Sequence, residues 1–508
     1  MNFWFGLIYF FLMGMLAACS APKQHSPEKI RNIVFIIGDD HAAYALGAYG
    51  NRDIRTPNLD RLANAGVRFS RAYANAPLCS ASRQSLLTGR YPHATGVTLL
   101  RTPLPDSQVT VAEHLKPFGY HTAAIGKMHF NNNLSHGFDT LIERKAYQNY
   151  LTANPPAKVP DSIAVRPPWR PFRDPARIWL NSEVLPSEYL DKDDIGTFYA
   201  EAAGRFMEEN QNNPFCLWVG FNEPHSPFNF PVEFRNKYKA RDMKLPQGTE
   251  EDDRWIPQVF ADLTDEEKKG IIASYYTSVE YLDKNVGLIL DKIESLGLVR
   301  NTMIVYVGDH GYLLNHHKRF EKHTMWEPAV HTPMLVCAPG HFPSGIVVES
   351  LVELVDLVPT LTEALGLTAM ETTQGKNLMP LIMQQNFVHK DYVFSEFLAD
   401  NKAMVRTSEW KYIFSTGKRD MAQGYATGNP PPGITHQLYD LSTDPDETTN
   451  LATDPEYRGI VGEMQNIMIS HFRQTHPNAS RIPESPSAEE QLMAFCEPPE
   501  GDEDPNTR

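Results

Sequence analysis

The chain has 508 residues, 42% of them hydrophobic, with 62 acidic against 47 basic side chains and a formal charge of −15. That apolar content can fill one large α/β unit plus a smaller domain, and it excludes a disordered chain. The acidic excess excludes generic nucleic-acid binding through phosphate neutralisation, so any anionic ligand needs a local basic pocket.

Residues 1–18 are apolar without a break from position 3 onward and end in small residues; the run is short for a membrane span and reads as a signal peptide. Leu16-Ala17-Ala18-Cys19 resembles the lipobox of bacterial lipoproteins. That resemblance implies a lipidated Cys19, a tether over 19–29, and an exported protein anchored to a membrane in the periplasm or on the outer-membrane surface. No Lys or Arg precedes the apolar run, which leaves an uncleaved signal anchor as the alternative.

Over 30–386, strand-like apolar runs alternate with amphipathic stretches. Strands are predicted at 33–37, 121–125, 215–221, 302–307 and Met334–Cys337, and helices at Pro57–Ala65, 80–88 with Gly89 as its stop, and 272–296. The alternation predicts an α/β layer fold with a largely parallel sheet. From 387 to 477 short strands at 391–395, 403–407, 410–415 and 437–441 precede a helix at 454–474, the pattern of a small α+β subdomain with an antiparallel sheet. Within it, L-Y-D-L-S-T-D-P-D-E-T-T-N-L reads as a strand end, an Asp-Pro turn and a helix cap. Residues 478–508, rich in Pro, Glu, Ser and Asp, read as a disordered acidic tail.

In open α/β sheets ligands gather at the carboxyl ends of strands. Asp39 and Asp40 follow one predicted strand, Lys127 and His129 a second, His225 a third, and Asp309 and His310 a fourth. Cys79 opens the predicted helix after Pro77, where free backbone N–H groups favour an anion, and Arg83 adds a fixed charge one turn on. Position alone leaves a buried structural thiol as open as a reactive one. Three carboxylates and an imidazole suit a hard divalent cation, Ca²⁺ better than Mg²⁺. Cys216 and Cys337 lie in apolar runs and read as core thiols, and no cysteine-based metal site has suitable spacing.

The run A-P-L-C-S-A-S-R-Q-S-L-L-T-G-R-Y-P-H, 76–93, resembles the signature of the type I sulfatases of the alkaline-phosphatase-like superfamily, and the overall pattern is closest to iduronate-2-sulfatase-like bacterial enzymes. The resemblance implies a large mixed sheet flanked by helices. It also implies oxidation of Cys79 by a formylglycine-generating enzyme to Cα-formylglycine (3-oxoalanine), with Ala81 standing where Pro is commoner. One Ca²⁺ is implied on Asp39, Asp40, residue 79, Asp309 and His310; many relatives have Asn at the last position. G-K-M-H gives Lys127 to bind sulfate and His129 to take a proton, F-N-E-P-H gives His225 as general acid, Lys322 touches sulfate or the leaving oxygen, and Arg83 supports the nucleophile. His317 matches a substrate-side histidine, although Asn315-His316-His317-Lys318 replaces the G-E-H-G frequent in relatives.

The segment 154–186 is long, proline-rich and basic, carrying Arg166, Arg170, Arg173, Arg177, Trp169 and Trp179. It reads either as a covering loop with locally paired arginines or as a lid that binds an anionic sugar through arginine forks and indole faces. The expected substrate is a sulfated polysaccharide or oligosaccharide that contains uronate, such as a glycosaminoglycan. A phosphomonoester or phosphodiester hydrolase of the same superfamily, and an inactive glycan-binding surface lipoprotein, are the competing readings; two-metal phosphatases need a second ligand set.

Overall fold

A computed structural model describes residues 29–384, 389–418, 424–482 and 487–497. The signal segment, Cys19 and the last residues of the acidic tail lie outside them. Among the described residues fourteen strands follow in chain order: β1 (Asn32–Gly38), β2 (Val67–Phe69), β3 (Ala72–Tyr73), β4 (His121–Gly126), β5 (Thr140–Ile142), β6 (Phe215–Gly220), β7 (Thr302–Gly308), β8 (Met334–Cys337), β9 (Ile346–Val348), β10 (Val352–Glu353), β11 (Val393–Phe397), β12 (Lys402–Arg406), β13 (Trp410–Ser415) and β14 (Thr435–Asp440).

The main sheet runs β5-β4-β6-β1-β7-β8-β2-β9. Its first five strands are mutually parallel, β8 is antiparallel to both neighbours, and β2 pairs parallel with β9, which makes the sheet mixed. Strands β1, β6 and β7 are buried at every residue because helices cover both faces, which is why each reads as an unbroken apolar run. On one face, Phe35 stacks on Trp218 of the neighbouring strand with centroids 4.1 Å apart, a pair worth about 0.5–1.5 kcal/mol beyond its burial.

One layer of helices comprises α1 (Pro57–Ala65), Ile195–Asn210 and Asp265–Ser295, which bury Leu59, Met207 and Val286 together. The opposite layer holds α2 (Cys79–Thr88) and Leu357–Ala364, with Leu86, Leu87 and Leu361 in its core. The long helix begins seven residues before the predicted 272 because its first turn is polar. Thr264 and Glu267 form a reciprocal capping box there, a signal that apolar spacing does not carry.

The C-terminal sheet is an antiparallel meander, β11-β12-β13-β14, backed by the helix Arg458–Thr475. Buried Glu447 of the L-Y-D-L motif pairs with Lys411 at 2.8 Å and accepts the Glu327 N–H at 2.5 Å, consistent with a structural role. Part of the acidic tail is folded. Ala488–Cys496 is a helix capped by Ser487, with Leu492, Phe495 and Cys496 buried and Phe495 stacked on Phe472 at 4.8 Å. Acidic flanks mask an apolar stripe at i, i+3 and i+4. Cys79, Cys216, Cys337 and Cys496 are all free and buried.

Candidate active site

Strands β1, β4, β6 and β7 all end in glycine at one edge of the sheet, and their next residues build the site. The glycines are needed because these backbones nearly touch. A Cβ on Gly126, whose φ is +92°, would lie 2.0 Å from the Gly220 carbonyl oxygen, and one on Gly220 would lie 2.2 Å from that of Lys127. Just past the strands, Asp40 (φ 65°) and His129 (φ 60°) take left-handed backbone that non-glycine residues seldom adopt. Asp40 is held there by Tyr275, whose hydroxyl donates to the Asp40 carbonyl at 2.6 Å and accepts from the Ala42 N–H at 3.0 Å.

Cys79 begins α2, and its preceding residue offers no side-chain cap, so the helix's first N–H groups face the site. The thiol sulfur marks where a nucleophile at residue 79 sits. It lies 3.2 Å from Lys322 Nζ, 3.3 Å from His310 Nε2 and 3.8 Å from Asp40 Oδ1. Arg83, 2% exposed, donates from Nε to Asp309 at 2.8 Å, from Nη2 to Asp39 at 3.2 Å and from Nη1 to the Lys127 carbonyl, so one guanidinium ties three strand ends together. Lys127 pairs with Asp39, and Lys322 pairs with both oxygens of Asp40 at 2.6 and 2.9 Å. His225 donates from Nδ1 to the Ser226 carbonyl at 2.7 Å, which turns Nε2 toward Asp40, 4.0 Å away. With side chains 32% and 14% exposed, His225 and Lys127 mark the side from which a substrate can enter.

Ligand atoms of Asp40, Cys79 and His310, and of Asp39, Cys79 and Asp309, lie within 4.8 Å of one another. A buried set this rich in carboxylate oxygen fits a hard divalent cation. Burial alone would raise the Asp39 carboxyl, yet Lys127, His225, Arg83 and Lys322 hold it well below 3.8. Burial likewise opposes Asp40, and Lys322, His225 and His310 bring it to about 2. His310 is lowered by burial, but Asp309, Cys79 and Asp40 raise it to about 9. Burial, Lys127 and Arg83 keep His129 well below 6.5, so this imidazole is neutral and can accept a proton at pH 7.

Of the residues expected from the sequence, Cys79, Arg83, Lys127, His129, His225, Lys322, Asp39, Asp40, Asp309 and His310 converge here. His317 does not. It is 6% exposed, stacked on Trp326 at 4.0 Å and bonded through Nδ1 to Asp252 at 2.9 Å, and it lines a separate cavity with Tyr44 and His316. In the 154–186 insert, Arg170 pairs with Asp174 at 2.8 Å, Arg173 is exposed, and Arg166 is half-buried beside the Pro167 carbonyl. Trp179, expected to offer an indole face to a sugar, is 1% exposed and packs near Phe172 and Phe260.

Two neighbours escaped the sequence reading. His323 follows Lys322, is 5% exposed, stacks on Phe397 of the C-terminal sheet at 4.9 Å and faces Tyr425, itself packed on Phe172 of the insert. Glu223 is buried; burial, aided by Asp194, pushes its carboxyl up to about 8 against the backbone N–H groups of Glu223 and Asn222, which lower it. The E-P-H spacing placed Glu223 near His225, but nothing local revealed its burial.

The mixed sheet, with a helix-borne thiol among carboxylates and lysines at its carboxyl edge, has the alkaline-phosphatase-like fold. Within that fold the chain belongs to the sulfatase family: the Sulfatase family model matches residues 31–367, and that of the N-sulphoglucosamine sulphohydrolase C-terminal region matches 315–474. It is an enzyme that hydrolyses sulfate esters. The chain is 27% identical to an arylsulfatase of Clostridium perfringens, covering 87% of this chain and 94% of that one. A phosphonate monoester hydrolase of Agrobacterium radiobacter shares the fold with TM-score 0.75 and 23% identity, covering 89% of this chain and 98% of that one. A third protein, solved in complex with D-glucosamine-2-N,6-O-disulfate, aligns with TM-score 0.69 and 22% identity over 89% of this chain and 99% of that one.

Proposed function

We propose that this sulfatase removes sulfate from uronate-containing anionic glycans, with formylglycine at residue 79 and one Ca²⁺ held by Asp39, Asp40, residue 79, Asp309 and His310. The observation that carries the reading is the position of the Cys79 sulfur at a helix N-terminus, within 3.3 Å of both Lys322 Nζ and His310 Nε2. When bound, the cation supplies positive charge against the nucleophilic oxygen and the sulfate oxygens.

The chain's own residues divide the remaining work. Lys127 and Lys322 hold sulfate oxygens, and Arg83 fixes Asp39 and Asp309 around them. Asp309 takes a proton from the attacking hydroxyl. Sulfate oxygens beside His225 Nε2 favour its protonated form, and that nitrogen passes its proton to the departing alcohol. Neutral His129 then accepts the proton of the second hydroxyl as sulfate leaves.

The substrate class rests on the basic insert, on the D-glucosamine-2-N,6-O-disulfate bound by the structural relative, and on a Cys19 lipid anchor that would set the enzyme on a membrane facing extracellular polymers. A formylglycine-generating enzyme is the required maturation partner. The shared fold of the phosphonate monoester hydrolase motivates a second reading, a phosphorus ester hydrolase. A two-metal phosphatase needs a second ligand set, whereas the candidate ligand groups among the described residues both share Cys79.

Peptide mass spectrometry of active protein should find residue 79 as formylglycine, and Cys79→Ala should abolish sulfate release without unfolding the protein. An active preparation with Cys79 wholly unmodified, or faster cleavage of a phosphonate monoester than of a sulfate ester, overturns the reading.

A further inference from the structure

We infer that Gln84 is a positioning residue for His129. The inference rests on the proposed role of His129 as proton acceptor. Arg83 and Gln84 are adjacent on α2, and together their side chains hold three successive carbonyls of the turn that carries Lys127 and His129. Arg83 Nη1 takes the Lys127 carbonyl, while Gln84 Nε2 donates to those of Met128 at 3.0 Å and His129 at 2.7 Å. Gln84 is fully buried, and its Oε1 has no partner among the described residues, so the amide is committed to this turn.

The turn needs such a grip. His129 stands in left-handed backbone at φ 60°, a conformation that persists only where its surroundings over-determine it. Its Nδ1 is buried without a partner among the described residues, so no bond at that nitrogen orients the ring. The direction of the imidazole is therefore set through the backbone, from the same helix that places the nucleophile. Gln84 fixes the distance between residue 79 and its proton acceptor.

Only the second half of the reaction uses that distance. The O–H proton of the remaining hydroxyl passes to the imidazole, the electron pair of that O–H bond closes the carbonyl at residue 79, and sulfate leaves with the pair of the C–O bond; water then restores the second hydroxyl. Alcohol departure depends on His225, which Gln84 does not touch.

Gln84→Met keeps the length and removes the donor, and Gln84→Glu keeps the volume while facing a carboxylate toward two carbonyls. Rates are normalised to the measured formylglycine fraction; Gln84 lies outside Cys79-Ser80-Ala81-Ser82-Arg83, the stretch read for maturation. On an aryl sulfate the variants should release alcohol in a first turnover within about twofold of wild type. Sulfate release and steady-state turnover should then be slower by roughly tenfold. Independently of activity, amide hydrogen exchange in unmatured Cys79 protein should quicken over 127–131 and stay unchanged along α2. Sulfate and alcohol appearing together at wild-type rates, or both slowed equally with exchange unchanged, overturns the inference. If one variant does not fold, the other decides; if neither folds, Gln84 is a structural residue and the inference fails. A wild-type enzyme that carries formylglycine but releases no sulfate would instead overturn the proposed reaction.

Discussion

Replacing Lys322 by Met tests whether the site is organised by charge. Lys322 Nζ lies 2.6 and 2.9 Å from the two oxygens of Asp40, with the two side chains 9% and 1% exposed. Burial acts to raise Asp40, and Lys322 is foremost among the groups that bring it from 3.8 down to about 2. That fall corresponds to about 2–3 kcal/mol of native-state stability, with the pair counted once. The sign follows from linkage. A depressed carboxyl contributes its stability above the unfolded value of 3.8 and loses it as pH falls through about 2, so the wild type has the full benefit at pH 7. Without Lys322, burial prevails and Asp40 rises above 3.8; its contribution then turns unfavourable as pH increases. Urea unfolding of calcium-free protein should show Lys322→Met less stable by about 3 kcal/mol at pH 7, with the gap narrowing at pH 4 as the variant's Asp40 takes up a proton. Turnover should fall by about 10²–10³ with the loss of a sulfate-binding cation. A stability gap unchanged between pH 4 and pH 7 would assign the loss to packing and refute the electrostatic account.

The carboxylate cluster predicts about one Ca²⁺ per chain by elemental analysis, and a fall in turnover of about a hundredfold or more for Asp39→Asn or Asp309→Asn; two tightly held zinc ions would count for a phosphatase instead. Neutralising Arg166, Arg170 or Arg173 should lower kcat/KM on uronate oligosaccharides by roughly tenfold or more and spare a small aryl sulfate. Equal losses on both substrates would make the insert a structural cover. Because Glu223 titrates near 8, up from 4.5, its stabilising effect is complete below 4.5 and lost as pH rises through 8. Glu223→Gln should therefore raise Tm relative to wild type at pH 8.5 and leave it nearly unchanged at pH 5, measured by scanning calorimetry; a Tm loss at both would show that the carboxyl has a hydrogen-bonding duty.

The sequence was readable where one physical rule dominates. Pro57–Ala65 and Met334–Cys337 matched residue for residue because proline, glycine and continuous burial mark their ends. The polar residues just past glycine-ended strands were legible as a site because each follows an unbroken apolar run directly. What stayed hidden depends on distant partners. Tyr275 reaches Asp40 from 235 residues away, so its hydroxyl looks like any helical tyrosine. His317 matched a motif position, but its stacking on Trp326 and the bond from Nδ1 to Asp252 depend on partners the motif does not contain. The helix Ala488–Cys496 was lost to averaging, since its acidic flanks outweigh the buried Leu492 and Phe495 in any compositional window.

The burial of α2 carries a consequence for timing. From Cys79 to Arg83 no residue is more than 2% exposed, and Arg83 is clasped by groups at the ends of three strands that are far apart in sequence. A second enzyme needs several extended residues of its target in a cleft, which the folded chain does not offer. Under the maturation proposed above, oxidation of Cys79 is in a race with folding, and a chain that folds first is sealed with a thiol at residue 79. That proposal predicts an active fraction set by how slowly the nascent chain closes around this helix as well as by how much maturation enzyme is present.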